Sequence, residues 1–249
     1  MSGHSKWATI KHKKGAADAK RGRVFTKLIR EITVAARMGG GDMGSNPRLR
    51  KAVSDAKAQQ MPADTIQRAI KRGTGELEGA NYEEVLYEAT GPGGTLLMVE
   101  GVTDNRNRTV AELRKIFEKH NGALGSSGTA AWAFERKGVF QLGGDVEEDT
   151  LMEIAVGAGA DDYEQTDDGW SVQCAVELFD AVTKALEAAN ISVQESALEY
   201  LPKVKKVVTG RDAEVMINLT DALDDHDDVQ NVFGDFDIPD DELAKLAGE

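Results

Sequence analysis

GVFQLGGDVEEDTLMEIAVGAGADDYEQTDDGWSVQCAVELFDAVTKALEAANISVQESALEY, residues 138–200, alternates between two spacings. Short β-branched and aromatic runs predict strands at Val139–Leu142, Asp162–Gln165, Trp170–Ala175 and Ser192–Tyr200. Longer stretches of helical spacing predict helices at Glu147–Ala158 and Leu178–Ala189. The order is β-α-β-β-α-β, which is the ferredoxin-like order.

The flanks of this stretch each lack a partner. Upstream, strands are expected at Glu84–Ala89 and Thr95–Val102, joined by a hairpin turn at Gly91-Pro92-Gly93-Gly94. That glycine run lacks the Lys-Ser/Thr of a phosphate-binding loop, and no helix follows it directly. A helix at Thr109–Lys119 turns Val110, Leu113, Ile116 and Phe117 inward, and Gly125–Gly128 turn into a strand at Ala130–Phe134. Downstream come a strand near Lys203–Val208, a helix at Ala213–Leu223, a strand at Val229–Asp235 and a short acidic helix in Asp237–Glu249. On its own the downstream piece cannot close a core. Together, 80–135 plus 203–249 make a second α+β domain, with the ferredoxin-like domain, 138–201, inserted into it.

Residues 1–75 read differently. From Gly22 to Met38, Phe25, Leu28, Ile29, Ile32 and Ala36 fall on one side of a helix, with Arg23, Lys27, Arg30 and Arg37 opposite. Asn46-Pro47 and Pro62 start two more helices, with Leu49, Ala52, Val53 and Ala56, then Ala63, Ile66 and Ile70, facing inward. Arg48, Arg50, Lys51, Lys57, Arg68, Lys71 and Arg72 project outward. The fold class is therefore α+β, a three-helix domain followed by two α+β domains. Gly73–Asn81 is the linker. The tight joint at Gln60-Met61-Pro62 invites a helix-turn-helix reading, but Pro62, Ala63, Asp64 and Thr65 are poor base readers.

Charge separates these regions. Residues 1–72 hold 17 Lys/Arg and 5 Asp/Glu, a net +12, while 73–249 hold 13 and 38, a net −25. Between Met1 and Arg37 there are ten Lys or Arg against two acids, Asp18 and Glu31. Such a segment is built to meet a polyanion, and the acidic remainder restricts how the molecule approaches one. Lys6, Lys11, Lys13, Lys14, Lys20 and Arg21 lie in a stretch with little apolar content, expected to order when its charge is neutralised. Trp7 among these cations is a candidate to stack on a base. The candidate nucleic-acid-binding residues are Lys6, Trp7, Lys11, Lys13, Lys14, Lys20, Arg21, Arg23, Lys27, Arg30 and Arg37. In the loop TDNRNRT (103–109), Asn107 or Asp104 is expected to cap the following helix. Arg106 and Arg108 there are either solvated or a clamp for an anion.

Other chemistry finds little support. No nucleophile–base pair or Gly-Xaa-Ser-Xaa-Gly elbow is present, so the protein is expected not to be an enzyme and to take no cofactor or small-molecule substrate. Asp224-Asp225-His226-Asp227-Asp228 lacks calcium-loop spacing, and His4 and His12 lack zinc-ligand partners, so no metal is expected. One cysteine, Cys174, permits no internal disulfide, and no apolar run approaches membrane-spanning length. With the GHSKW motif starting at residue 3, no targeting segment is expected either, and the location is read as cytoplasmic.

The motifs GHSKW (3–7), KRG-x-x-FTK-x-IREI (20–32), GGGD (39–42), NPRLR (46–50), RAI-x-RG (68–73), YE-x-x-GPGG (87–94) and TDNRNRT (103–109) stand in the order of the YebC family. The whole chain resembles it. The resemblance implies a helical N-terminal domain and two acidic α+β domains without catalytic residues. It also implies a cytoplasmic regulator of the kind described as DNA-binding transcriptional regulators, some relatives being described as translational activators at the ribosome. The expected function is thus a nucleic-acid-binding regulator of gene expression docking on phosphate. The alternatives are a translation factor on ribosomal RNA and an adaptor that meets a protein partner through the acidic domains.

Overall fold

The computed structural model describes residues 17–144, 146–166 and 169–247. One compact unit is formed by 131–205 and a second by the segments before and after it.

The second unit begins with three helices, α1 (Ala17–Gly39), α2 (Pro47–Ala58) and α3 (Ala63–Gly73). Ile32, Ala35, Leu49, Val53, Ala56, Ile66 and Ile70 form their shared core, as periodicity led one to expect except at Ala63, which sits in the first turn of α3 and is exposed. Helix α1 reaches back to Ala17, so Lys20 and Arg21 lie on it rather than upstream of it. Asn46 does two jobs at the first joint. Its Oδ1 accepts from Leu49 N–H at 3.0 Å, capping α2, and its Nδ2 donates to the Ala35 and Gly40 carbonyls at 2.8 Å, closing α1. At the far end of α3, a Cβ on Gly73 would meet the Thr33 carbonyl oxygen at 2.4 Å. Only glycine lets α3 lie this close to α1.

Next come β1 (Glu83–Gly91), β2 (Thr95–Thr103), α4 (Arg106–Lys119) and a two-residue β3 (Ala123–Leu124). The β1–β2 turn is the expected glycine hairpin, with Gly93 at φ 68° and Gly94 at φ 71°.

The unit of 131–205 opens with a turn at Ala131–Ala133. It continues through β4 (Phe134–Gly143), α5 (Glu148–Leu151), β5 (Ala160–Thr166), β6 (Gly169–Ala175), α6 (Phe179–Ala188) and β7 (Val193–Pro202). Its sheet runs β5-β6-β4-β7 with every neighbouring pair antiparallel, the ferredoxin-like arrangement. Two local expectations change. The apolar run Ala130–Phe134 is not a strand of its own, because 131–133 turn and Phe134 already pairs with Pro202 in β4–β7. The helix expected through Ala158 widens to a π-helix at Met152–Val156. Phe140, Leu151, Val172, Cys174, Val182 and Leu186 fill the core between sheet and helices.

The chain then returns as β8 (Lys206–Val207), α7 (Gly210–Asp224), β9 (Val229–Gly234), β10 (Phe236–Asp237) and α8 (Asp240–Ala247). Strand β9 pairs antiparallel with β2, giving the sheet β3-β1-β2-β9, and β8 pairs parallel with β10. Leu97, Val99, Leu113 and Phe117 from the first segment share a core with Met216, Leu219, Leu223 and Val232 from the second. Two pieces that cannot bury their apolar faces separately do so together.

Candidate nucleic-acid interface

Lys6, Trp7, Lys11, Lys13 and Lys14 lie outside the described residues, as does the side chain of Lys20. The remaining candidates sit along α1. Arg21 is exposed and places its guanidinium 5.4 Å from the centre of the Phe25 ring. Arg23 lies 3.3 Å from the Asp225 carboxylate, with both side chains substantially exposed. Lys27 is half-buried and has an interaction partner within the protein. Arg37 donates to the Tyr82 carbonyl.

Arg30 does not stand in an outward row. It is 9% exposed, donates to the Asp228 carboxylate and to the Asp227 and Val102 carbonyls, and lies over the Tyr82 ring. A helix face rich in arginine satisfies an acidic protein surface as well as it satisfies phosphate. Here the surface is at hand, in the acidic loop between α7 and β9.

Asp228 is the centre of this contact. Only 2% exposed, it accepts from Thr109 Oγ1 at 2.6 Å, Thr103 Oγ1 at 3.2 Å and Arg108 Nη2 at 3.0 Å, besides Arg30. Burial pushes its carboxyl pKa up, but the hydrogen bonds from Thr109 and Arg108 and the charge of Arg30 outweigh this and hold it below the ordinary carboxylate value. A second tie runs through Arg48 on α2. It meets Glu31 of α1 with two bonds, at 2.7 and 3.0 Å, and Glu84 of β1 at 2.6 Å.

The 103–109 loop joins the same network. Asn105, rather than Asn107 or Asp104, caps α4 by accepting from Arg108 N–H at 3.1 Å. The Arg108 guanidinium bonds Asp104 at 2.8 Å as well as Asp228, and Arg106 lies 3.6 Å from Glu83. Both arginines thus face carboxylates of their own chain.

Glu112, His226 and Asp228 bring ligand-type atoms within 4.8 Å of one another. Their hydrogen bonds account for the grouping. The Asp228 N–H donates to His226 Nδ1 at 3.1 Å, which leaves Nε2 to carry the proton toward Glu112 at 3.0 Å. Two guanidiniums already neutralise Asp228, and their charge opposes a cation there.

Cations remain on the outer faces of α2 and α3. Arg50, Lys57, Arg68, Lys71 and Arg72 are exposed, and their position off the apolar stripe was the sequence signal for it. At the start of α3 the exposed residues are Pro62, Ala63 and Asp64, without a base-reading side chain.

Residues 5–76 match the TACO1/YebC protein N-terminal domain, and 82–236 match the TACO1/YebC second and third domain. The chain belongs to the TACO1/YebC family. A protein of Desulfatibacillum aliphaticivorans named probable transcriptional regulatory protein is 55% identical over 246 residues, covering 98% of this chain and 100% of that one. One of the same description from Geobacter sulfurreducens is 53% identical, covering 99% and 100%. The crystal structure of a conserved hypothetical protein from Aquifex aeolicus superposes with a TM-score of 0.84 at 43% identity, covering 94% of this chain and 98% of that one. Among the described residues of this TACO1/YebC protein, no helix is long and apolar enough to cross a membrane. The Arg30–Asp228 and Arg48–Glu84 contacts join the segment matched as N-terminal domain to the segment matched as second and third domain.

Proposed function

We propose that this protein is a non-enzymatic regulator of gene expression that docks on nucleic-acid phosphates through its basic N-terminal segment. The observation that carries this reading is the charge segregation, ten Lys or Arg against two acids up to Arg37 in a chain of net charge −13. The internal partners of Arg23, Arg30 and Arg37 narrow the contact to Lys6, Lys11, Lys13, Lys14, Lys20 and Arg21, with Lys27 next along α1 and Trp7 as the stacking residue. Relatives named probable transcriptional regulatory proteins support a regulatory role.

Phosphate contacts of this kind confer affinity with little sequence information. The start of α3, with Ala63 and Asp64 exposed, favours a second reading in which the polyanion is folded RNA on the ribosome. Sedimentation of lysate through sucrose at low and moderate salt, with wild type beside Lys11/Lys13/Lys14→Glu, separates the two. Wild type travelling with ribosomes and the variant staying at the top indicates a translation factor. Both at the top, with wild type alone shifting duplex DNA, indicates transcriptional regulation. Either mode requires binding that falls steeply with salt, since each neutralised phosphate releases counterions. A flat salt response in both assays rejects the reading.

A further inference from the structure

The unit of 131–205 is strongly acidic, with 16 Asp/Glu against five Lys/Arg, yet four of the five cations gather at one end as Arg136, Lys137, Lys203 and Lys205. Lys137 is committed to Asp161 at 2.6 Å and Glu135 at 3.3 Å, and the distant Lys184 to Asp180 at 2.9 Å. Arg136 lies 5.7 Å from the centre of the Tyr200 ring on the paired strand. Beside them Trp132 is 66% exposed and Val204 78% exposed. Trp132 is not on a loose loop. Its turn is held against the end of β7 by Lys203, whose N–H donates to the Ala133 carbonyl and whose Nζ donates to the Trp132 carbonyl, each at 2.9 Å. The Trp132 side chain is thus exposed on a turn that Lys203 holds, and Lys203 and Lys205 are themselves exposed.

We propose that Trp132, Lys203 and Lys205 form a second nucleic-acid contact, in which the indole stacks on an unpaired base and the lysines meet the phosphates beside it. The proposal rests on the nucleic-acid reading above and extends it to the otherwise acidic unit. An aromatic face flanked by cations is the combination that holds single strands, because every base offers a π-face and every nucleotide a phosphate. One indole and one valine separated by lysine are too small and too charged for an apolar protein interface. The acidic surroundings would confine a nucleic acid to this end of the unit.

The test uses the full chain and fluorescence anisotropy at fixed ionic strength, with a short oligouridylate and a duplex RNA of the same length as probes. Trp132→Ala is expected to weaken oligouridylate binding about tenfold, the size of one lost base stack, and to leave the duplex unchanged. Trp132→Phe should restore most of the loss, and Lys203→Glu/Lys205→Glu should weaken both probes. Circular dichroism of each variant shows whether the fold is kept. If Trp132→Ala binds like wild type while Lys11/Lys13/Lys14→Glu does not bind, the N-terminal reading stands and this proposal is overturned. If neither variant differs from wild type, both fail. Equal losses on both probes overturn stacking. A Trp132→Ala protein that keeps its RNA affinity but loses affinity for an oligoglutamate peptide overturns it in favour of an acidic protein partner.

Discussion

The two ends of α1 use the same residue type in opposite ways. Toward its C-terminal end Arg30 is buried against Asp228, inside a network with Arg108, Thr103 and Thr109. Toward its N-terminal end Arg21 is exposed, stacked on a phenylalanine of its own helix. A run of cations is thus not one functional surface. Part of it fastens the helical segment to the neighbouring sheet, and the phosphate contact proposed above falls to the part that precedes it in the sequence.

The largest effect that would break this division is expected at Asp228. Asp228→Asn keeps the size of the side chain but leaves Arg30 buried without its counter-charge, which should destabilise by about 3–5 kcal/mol. Hydrogen exchange should show the loss in α1, α4 and β9 while β4–β7 keep their protection. Uniform loss across both units, or none, would mean that the pair does not fasten the helices. The same network has a pH signature. Asp228 has its folded pKa depressed, so its contribution is fully present above the ordinary carboxylate pKa of about 3.9 and is lost as pH falls through the depressed value. Asp235, 7% exposed in the same unit, is raised chiefly by burial, so it opposes folding above its ordinary pKa and ceases to do so below it. Acid titration of wild type beside Asp228→Asn should therefore show the added loss only in wild type and only below about pH 4.

A middle-sized effect is expected where the helices touch rather than where they are charged. Gly73→Ala places a methyl group 2.4 Å from the Thr33 carbonyl oxygen and 2.7 Å from Ala36 Cβ. Backbone must move to admit it, and about 1–3 kcal/mol should be lost from the helical segment. Thermal unfolding followed by circular dichroism measures this. A neutral result would mean that α1 and α3 can separate without penalty, and the tight packing would then not position α1.

These contrasts explain what the sequence disclosed. The β-α-β-β-α-β order was legible because strand alternation and helical spacing are local, and so was the Asn46 cap. The two-residue β3 carries no period to detect, and the run Ala130–Phe134 is apolar without a spacing that separates turn from strand. Asp228 was hidden for a different reason. In DDHDD it looks like one acid among several, and its partners Arg30, Thr103 and Thr109 are reached only after β9 pairs with β2. Periodicity placed Arg30 opposite the apolar stripe correctly, but it has no means of distinguishing solvent from a second domain on that side.

Arg23 and Asp225 provide the sharpest control, because they join the same helix to the same acidic loop as Arg30 and Asp228. Their side chains are 40% and 55% exposed, against 11% and 3% for the buried pair. In water the attraction is screened, and holding two long side chains together offsets much of the gain. Arg23→Ala should therefore change stability by less than about 1 kcal/mol, and that small change should vanish in high salt. Urea unfolding at low and high ionic strength resolves the difference. A loss comparable to that of Asp228→Asn would place Arg23 in the fastening group. A negligible loss accompanied by weaker nucleic-acid binding would instead move the boundary between the two functions of α1 from Arg21 to a point between Arg23 and Arg30.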